Sequence, residues 1–239
     1  MAETSLRTDP TTTASAPPDL PPLTDQAERL VDLGLVPTDP ADGTLDAATL
    51  RRRAADLTGS GAPGALLVVH PRHLPPSALA PHLLRTVRTR GGEVERPGFV
   101  VEDMTDVDAF APVPDLDLPD ADVWAVLAPD RGDDLANASP EEAVVALAAR
   151  SRTPLTLGEG AQWVLQSPGV LEPGRCFMTI GSRVRRADGS DDARTPALWI
   201  SGGTGRDGAG RRGAAKIGWC WWRNRHTWLG FASAAARRA

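Results

Sequence analysis

The chain has no tyrosine, a single lysine (Lys216), only two cysteines, and no apolar run near the roughly 18 residues that a membrane-spanning helix needs. Each shortage excludes something. Without a long apolar run, no membrane span is expected. Cys176 and Cys220 do not make a disulfide framework, and neither sits in a C-x-x-C or C-x-x-H spacing that would suggest zinc or a thioredoxin-like site. Residues 1–22 have neither a basic n-region nor an apolar h-region, so they are not read as a signal peptide, and a cytoplasmic protein with reduced thiols is expected.

What is present is ordinary for a globular protein: 239 residues, 41% hydrophobic and 24% charged. Residues 1–22 are rich in Pro, Thr and Ala, lack any period and are predicted to be a disordered tail; residues 23–239 are predicted to form one domain. The net charge of −5 hides a split, because residues 206–239 carry eight basic side chains against Asp207 alone. A basic end can hold phosphates or nucleic acid through Arg206, Arg211, Arg212 and Lys216. The preferred reading is that it neutralises the acidic stretch 102–142 within the same fold, and nucleic acid is disfavoured as a partner of an acidic chain.

The apolar pattern predicts helices from Thr24 with Gly34 as a stop, over 45–57, over 77–90, and over 140–150 behind a Ser139/Glu142 capping box. Thr156 and Glu159 repeat that box before 161–165. Strands are predicted at 65–69, 99–101 and 123–127, and after Gly174 at 176–180, 197–201, 217–222 and 227–232. The fold class is therefore α+β: a mixed sheet with flanking helices and a C-terminal antiparallel meander rich in tryptophan.

Two apparent motifs fail on context. Gly203 to Gly208 fits G-x-G-x-x-G, but no helix pattern follows and no acid lies beyond Asp207 to hold a ribose, so no cofactor is expected. His70, His73 and His82 lack the pairing of a zinc helix, and the Asp115–Asp122 stretch lacks the glycine and glutamate of a calcium loop; no metal is expected.

The serious candidate is the C-terminal hairpin. Five of the seven tryptophans, Trp199, Trp219, Trp221, Trp222 and Trp228, lie beside Lys216, Cys220, Asn224 and His226. Strand alternation puts Ile217, Trp219 and Trp221 on one side and Lys216, Cys220 and Trp222 on the other. A three-residue turn would bring His226 to the Cys220 face, where a thiol–imidazole pair makes a nucleophile and Lys216 lowers the thiol pKa; an even turn would place them on opposite faces. Against this stands the reading of Cys220 as a small buried hydrophobe and of the tryptophans as core. Beside Gly218 and Gly230 the indoles would also leave room for a flat ligand.

Thr153-Pro154-Leu155-Thr156 with Glu159-Gly160, Cys176-Phe177 with Gly181-Ser182-Arg183, Pro196 to Ser201, and Gly218-Trp219-Cys220-Trp221 with Asn224 and His226-Thr227-Trp228-Leu229-Gly230 together resemble an uncharacterised family of actinobacterial proteins, a domain of unknown function. The resemblance implies no activity, ligand or catalytic residue. Trp222 and Arg225 stand where a small residue and a proline would be typical of it, and 202–213 is longer.

Two expectations stand side by side. One is a non-catalytic binding or regulatory protein that takes a small molecule or peptide with Trp199, Lys216, Trp219, Asn224 and Trp228, with His226 beside them. The other is a cytosolic hydrolase or acyl-transfer enzyme with Cys220 as nucleophile and His226 as base. Oligomeric state is not legible in the sequence.

Overall fold

Apolar side chains at three- and four-residue spacing make the first helices, in a computed structural model that describes residues 20–39, 44–59 and 64–239. The tail expected over 1–22 lies outside the described residues up to Asp19. Helix α1 (Leu23–Asp32) buries Leu23, Gln26, Ala27 and Leu30, and stops where Gly34 takes a left-handed φ of 68°. Helix α2 (Ala47–Gly59) buries Ala47, Leu50, Ala54 and Leu57 against it, leaving Arg51 on the surface paired with Glu28.

The all-apolar run becomes β1 (Leu66–Val69), buried at every position. The single helix predicted over 77–90 is a correction. Only a turn of helix forms, α3 (Pro76–Leu79), with a short 3-10 turn after it that contains Pro81; the chain then makes a hairpin, β2 (Arg85–Thr89) and β3 (Gly92–Arg96), in which Val87 faces Val94. Pro81 lacks the N–H a continuing helix needs, and Arg90-Gly91 makes a two-residue turn that leads into Gly92 at a φ of 114°.

Next come β4 (Phe99–Val100), β5 (Ala111–Pro112) and β6 (Val123–Leu127). Helix α4 (Pro140–Ala149) follows, and then β7 (Thr153–Pro154) and α5 (Leu157–Gln166). Both capping boxes form: Ser139 Oγ accepts from the Glu142 amide and Thr156 Oγ1 from the Glu159 amide, while each glutamate accepts from its cap's own N–H. All ten residues of α5 are buried.

The remaining strands are β8 (Cys176–Met178), β9 (Ser182–Arg183), β10 (Arg194–Ile200), β11 (Ala215–Trp221), β12 (Leu229–Phe231), β13 (Ser233–Ala234) and β14 (Ala236–Arg238). Among the described residues they build an antiparallel sheet in the order β1-β6-β14, a mixed sheet in the order β12-β8-β10-β11-β4, and three two-stranded ribbons. The chain is α+β. Helix α5 packs against both larger sheets, meeting β1 on one side and β10 on the other.

The edge of β1 is closed by two buried glutamines. Gln26 accepts from the Leu67 amide and donates to the Ala65 carbonyl, each at 2.8 Å. Gln162 of α5 accepts from the Val69 amide and donates to the Val69 carbonyl, again at 2.8 Å. Side-chain amides thus replace the missing strand neighbour, satisfying backbone groups that would otherwise be buried unpaired.

The expected hairpin of 217–222 with 227–232 does not form. β8, β10 and β11 are antiparallel neighbours, but β12 crosses to the far edge and pairs parallel with β8, while β11 takes β4 as its other neighbour, also in parallel. A parallel partner satisfies the same backbone groups as a hairpin partner, so adjacency in sequence did not decide adjacency in the sheet.

Candidate functional site

Strand pairing divides the tryptophan cluster. On β10 and β11, Trp199 lies opposite Lys216, Ala197 opposite Gly218, and Thr195 opposite Cys220, so these six share one face. Trp219 and Trp221 stand on the other, their rings 4.6 Å apart and edge-on, with Trp221 47% exposed. Trp199 and Trp219 are therefore not walls of one pocket. Asn224 sits exposed in the turn after β11, where its backbone amide donates to the Trp221 carbonyl.

The room expected beside the glycines is already filled. A Cβ on Gly218 would overlap the Trp199 indole, and one on Gly230 would overlap the backbone of Arg131 and Gly132. Glycine at 218 leaves the space that the Trp199 ring occupies.

Lys216 donates to Asp207 at 2.6 Å, with its ammonium 4.8 Å from the centre of the Trp199 ring. Asp207 also accepts from Ser201 at 2.7 Å, and this carboxyl is held below its ordinary range by Lys216 and Ser201, against the opposing effect of burial. The glycine-rich segment around it makes two 3-10 turns and no α-helix. Elsewhere the basic end is matched internally, Arg206 with Asp103, Arg223 with Glu141, Arg225 with Glu142 and Arg237 with Glu159.

Because 217–222 and 227–232 do not pair, no hairpin turn sets Cys220 and His226 on one face, and no hydrogen bond is seen between them. Burial pushes the Cys220 thiol up to about 11, and the opposing charge of Lys216 is too small an effect to reverse it. Cys176 is likewise pushed to about 11 by burial, and its Sγ donates to the Glu172 carbonyl. Burial lowers the His226 pKa, which favours neutral imidazole. Its Nε2 is buried without a protein partner, and its ring lies 5.5 Å from that of Trp228.

Both thiols keep their protons in the fold to a higher pH than in the unfolded chain. Their burial therefore favours folding fully below about pH 8.5, the free-thiol value, and that contribution is lost as the pH rises towards 11. Native-state alkylation at pH 8, read by peptide mass, is expected to run about a hundredfold slower at each cysteine than at a free thiol. Modification of Cys220 at the free-thiol rate would contradict this account.

His73 Nε2 meets an Asp122 carboxylate that also pairs with Arg72, and His70 Nδ1 accepts from the Arg72 amide. Among the described residues no group of three or more His, Cys, Asp or Glu is placed to hold a metal ion.

Of the five C-terminal indoles, Trp222 and Trp228 line open space, each in a different cleft. Trp228 forms a wall of a cleft of about 360 Å³, with Thr227, Gly230, Arg175 and the 3-10 turn Asp133–Leu135 around it. The Trp199 ring meets Trp228 edge-on at 6.2 Å. Arg131, 1% exposed, fixes the turn from below: it donates twice to Asp133 at 2.6 and 2.7 Å, and to Glu172 and the Val170 carbonyl at 2.8 Å. Burial pulls the Arg131 pKa down, but its hydrogen bonds to Asp133 and Glu172 outweigh that and leave it raised. Asp133, Asp134 and Arg175 were not anticipated in the sequence, since nothing local ties them to Trp228.

Residues 29–239 match the family of unknown function DUF5701. The chain belongs to that family. No curated protein and no solved structure matches it. The DUF5701 match covers β1 to β14 and every residue of the candidate site, and it assigns none of them a role. Among the described residues, no helix of this DUF5701 chain is long and apolar enough to cross a membrane.

Proposed function

We propose that the chain is a non-catalytic binding protein of the cytoplasm, folded as one domain over 23–239, that takes a small molecule or short peptide at the Trp228 cleft. The observation that carries this reading is the indole wall itself: Trp228 is braced edge-on by Trp199 and His226 and faces a cleft whose charged groups are Asp133, Asp134 and Arg175. A flat apolar or cationic group stacks on such a wall, with an amine turned to the carboxylates and a carboxylate to Arg175. Of the five residues first singled out, Trp228 is the one that lines the cleft and Trp199 backs it; Lys216 is engaged with Asp207, and Trp219 and Asn224 lie elsewhere. The alternative, a Cys220/His226 hydrolase or acyl-transfer enzyme, has no observation in its favour.

The test is tryptophan fluorescence and calorimetry with aromatic amines and short peptides that carry a terminal Trp or Phe. Saturable binding that Trp228→Ala weakens about tenfold or more is expected. Absence of binding across that set, or an unchanged affinity in Trp228→Ala, would sink the reading.

A further inference from the structure

A larger cleft lies away from Trp228, where the chain after β5 and the end of α4 face β9 and Trp222. It encloses about 490 Å³, and Leu116, Val144, Ile180 and Trp222 supply apolar wall. Arg183 lines it as well. This arginine is 8% exposed, its guanidinium lies 4.0 Å from the centre of the Trp222 ring, and its Nη2 donates to the Asp192 carbonyl. Its Nε is buried with no hydrogen-bond partner, and among the described residues no carboxylate lies within ion-pair distance of its guanidinium. A guanidinium this deeply placed is ordinarily paired with an anion. Burial lowers the Arg183 pKa, and the nearby carboxylates of Asp191 and Asp192 offset this only in part.

A second arginine is left over at the same place. Arg152 lines the cleft and donates to Ser233 and to the Ala128 carbonyl, without a carboxylate partner. Two acids also line the cleft: Asp191 is already paired with Arg185 at 3.3 Å, which leaves Asp115 against Arg152 and Arg183. The lining thus has an excess of positive charge above an apolar floor.

We infer that this cleft is a second ligand site, for an organic monoanion with an apolar body, such as a medium-chain or aromatic carboxylate: the anionic head meets Arg183 and Arg152, and the body lies along Leu116, Val144, Ile180 and the Trp222 ring. The charge excess selects the anion and the walls select the body; inorganic phosphate would leave the apolar surface wet.

The test is calorimetric titration of the full chain with octanoate, and with 1-octanol as the uncharged equivalent. Octanoate is expected to bind about tenfold or more tightly than 1-octanol, and less tightly as salt rises. Arg183→Gln should abolish that preference. Val144→Glu should weaken octanoate at least as much, by setting a carboxylate at the mouth; Val144 is 39% exposed, so this variant decides the matter even if Arg183→Gln unfolds. Trp228→Ala should leave octanoate binding unchanged, which separates this site from the other cleft. Equal affinity for octanoate and 1-octanol, no binding of either, or full octanoate affinity in Val144→Glu would overturn the inference.

Discussion

Arg237→Ala is expected to lower stability by about 3–5 kcal/mol, the cost of removing one partner from a buried ion pair, as read from urea unfolding. Glu159 is fully buried on α5, and Arg237 donates to it from Nε at 2.6 Å and from Nη2 at 2.8 Å. The same carboxylate accepts from Trp124 Nε1 at 3.1 Å and from the Thr156 amide at 2.8 Å. The guanidinium reaches further, to Thr153 Oγ1 at 2.7 Å and the Pro154 carbonyl at 2.9 Å. One arginine on β14 therefore ties together α5, β6 and β7. Truncation leaves an unpaired carboxylate in an apolar surround, whereas Glu159→Gln combined with Arg237→Leu removes both charges and should recover a good part of the loss. A loss below about 1 kcal/mol in the single variant would mean that water reaches Glu159 once the arginine is gone.

Gln162→Leu is expected to cost about 2–5 kcal/mol, although it puts an apolar side chain into an apolar setting. The substitution strips both the amide and the carbonyl of Val69 of their partners in a strand with no exposed position. Each buried backbone group left unpaired costs about 1–3 kcal/mol, more than the gain from burying leucine. Native-state hydrogen exchange should show the Val69 amide exchanging faster in the variant. Stability equal to the parent would show that β1 finds another partner along that edge.

These two positions mark where the sequence was legible and where it was not. The starts of α4 and α5 were readable because a capping box is made by residues three apart, and β1 and β6 because a short all-apolar run bounded by turn residues has few other uses. The hairpin at 85–96 differs from the helix expected there although its cues are local: Val87, Arg88 and Thr89 are as compatible with a helix face as with a strand, and the turn at Arg90-Gly91 decides between them. The tryptophan-rich end misled for a different reason. Nearness in sequence is not nearness in space there: the alternation of Trp219 and Lys216 along β11 was readable, but the crossing of β12 to the far edge, which takes Trp228 away from β11, has no local cue. Glu159 with Arg237, and Gln162 with Val69, are pairings across 78 and 93 positions that no local pattern announces. Arg183 was visible only as part of a resemblance, and its missing counter-ion is a property of the folded surroundings alone.

The order β1-β6-β14 sets a timetable for how the protein is made. Val126 of β6 is paired on one side with Leu66 and on the other with Arg237, about 110 positions further along. As the chain leaves the ribosome, β6 can find β1 early, but its second edge stays bare until β14 has been synthesised, and Glu159 waits as long for its cation. A chain that still lacks β14 thus carries an open apolar strand edge together with an unneutralised interior charge, which disfavours stable docking of α5 until β14 has been made. Nascent chains stalled short of Arg237 are therefore where chaperone engagement and misassociation should concentrate.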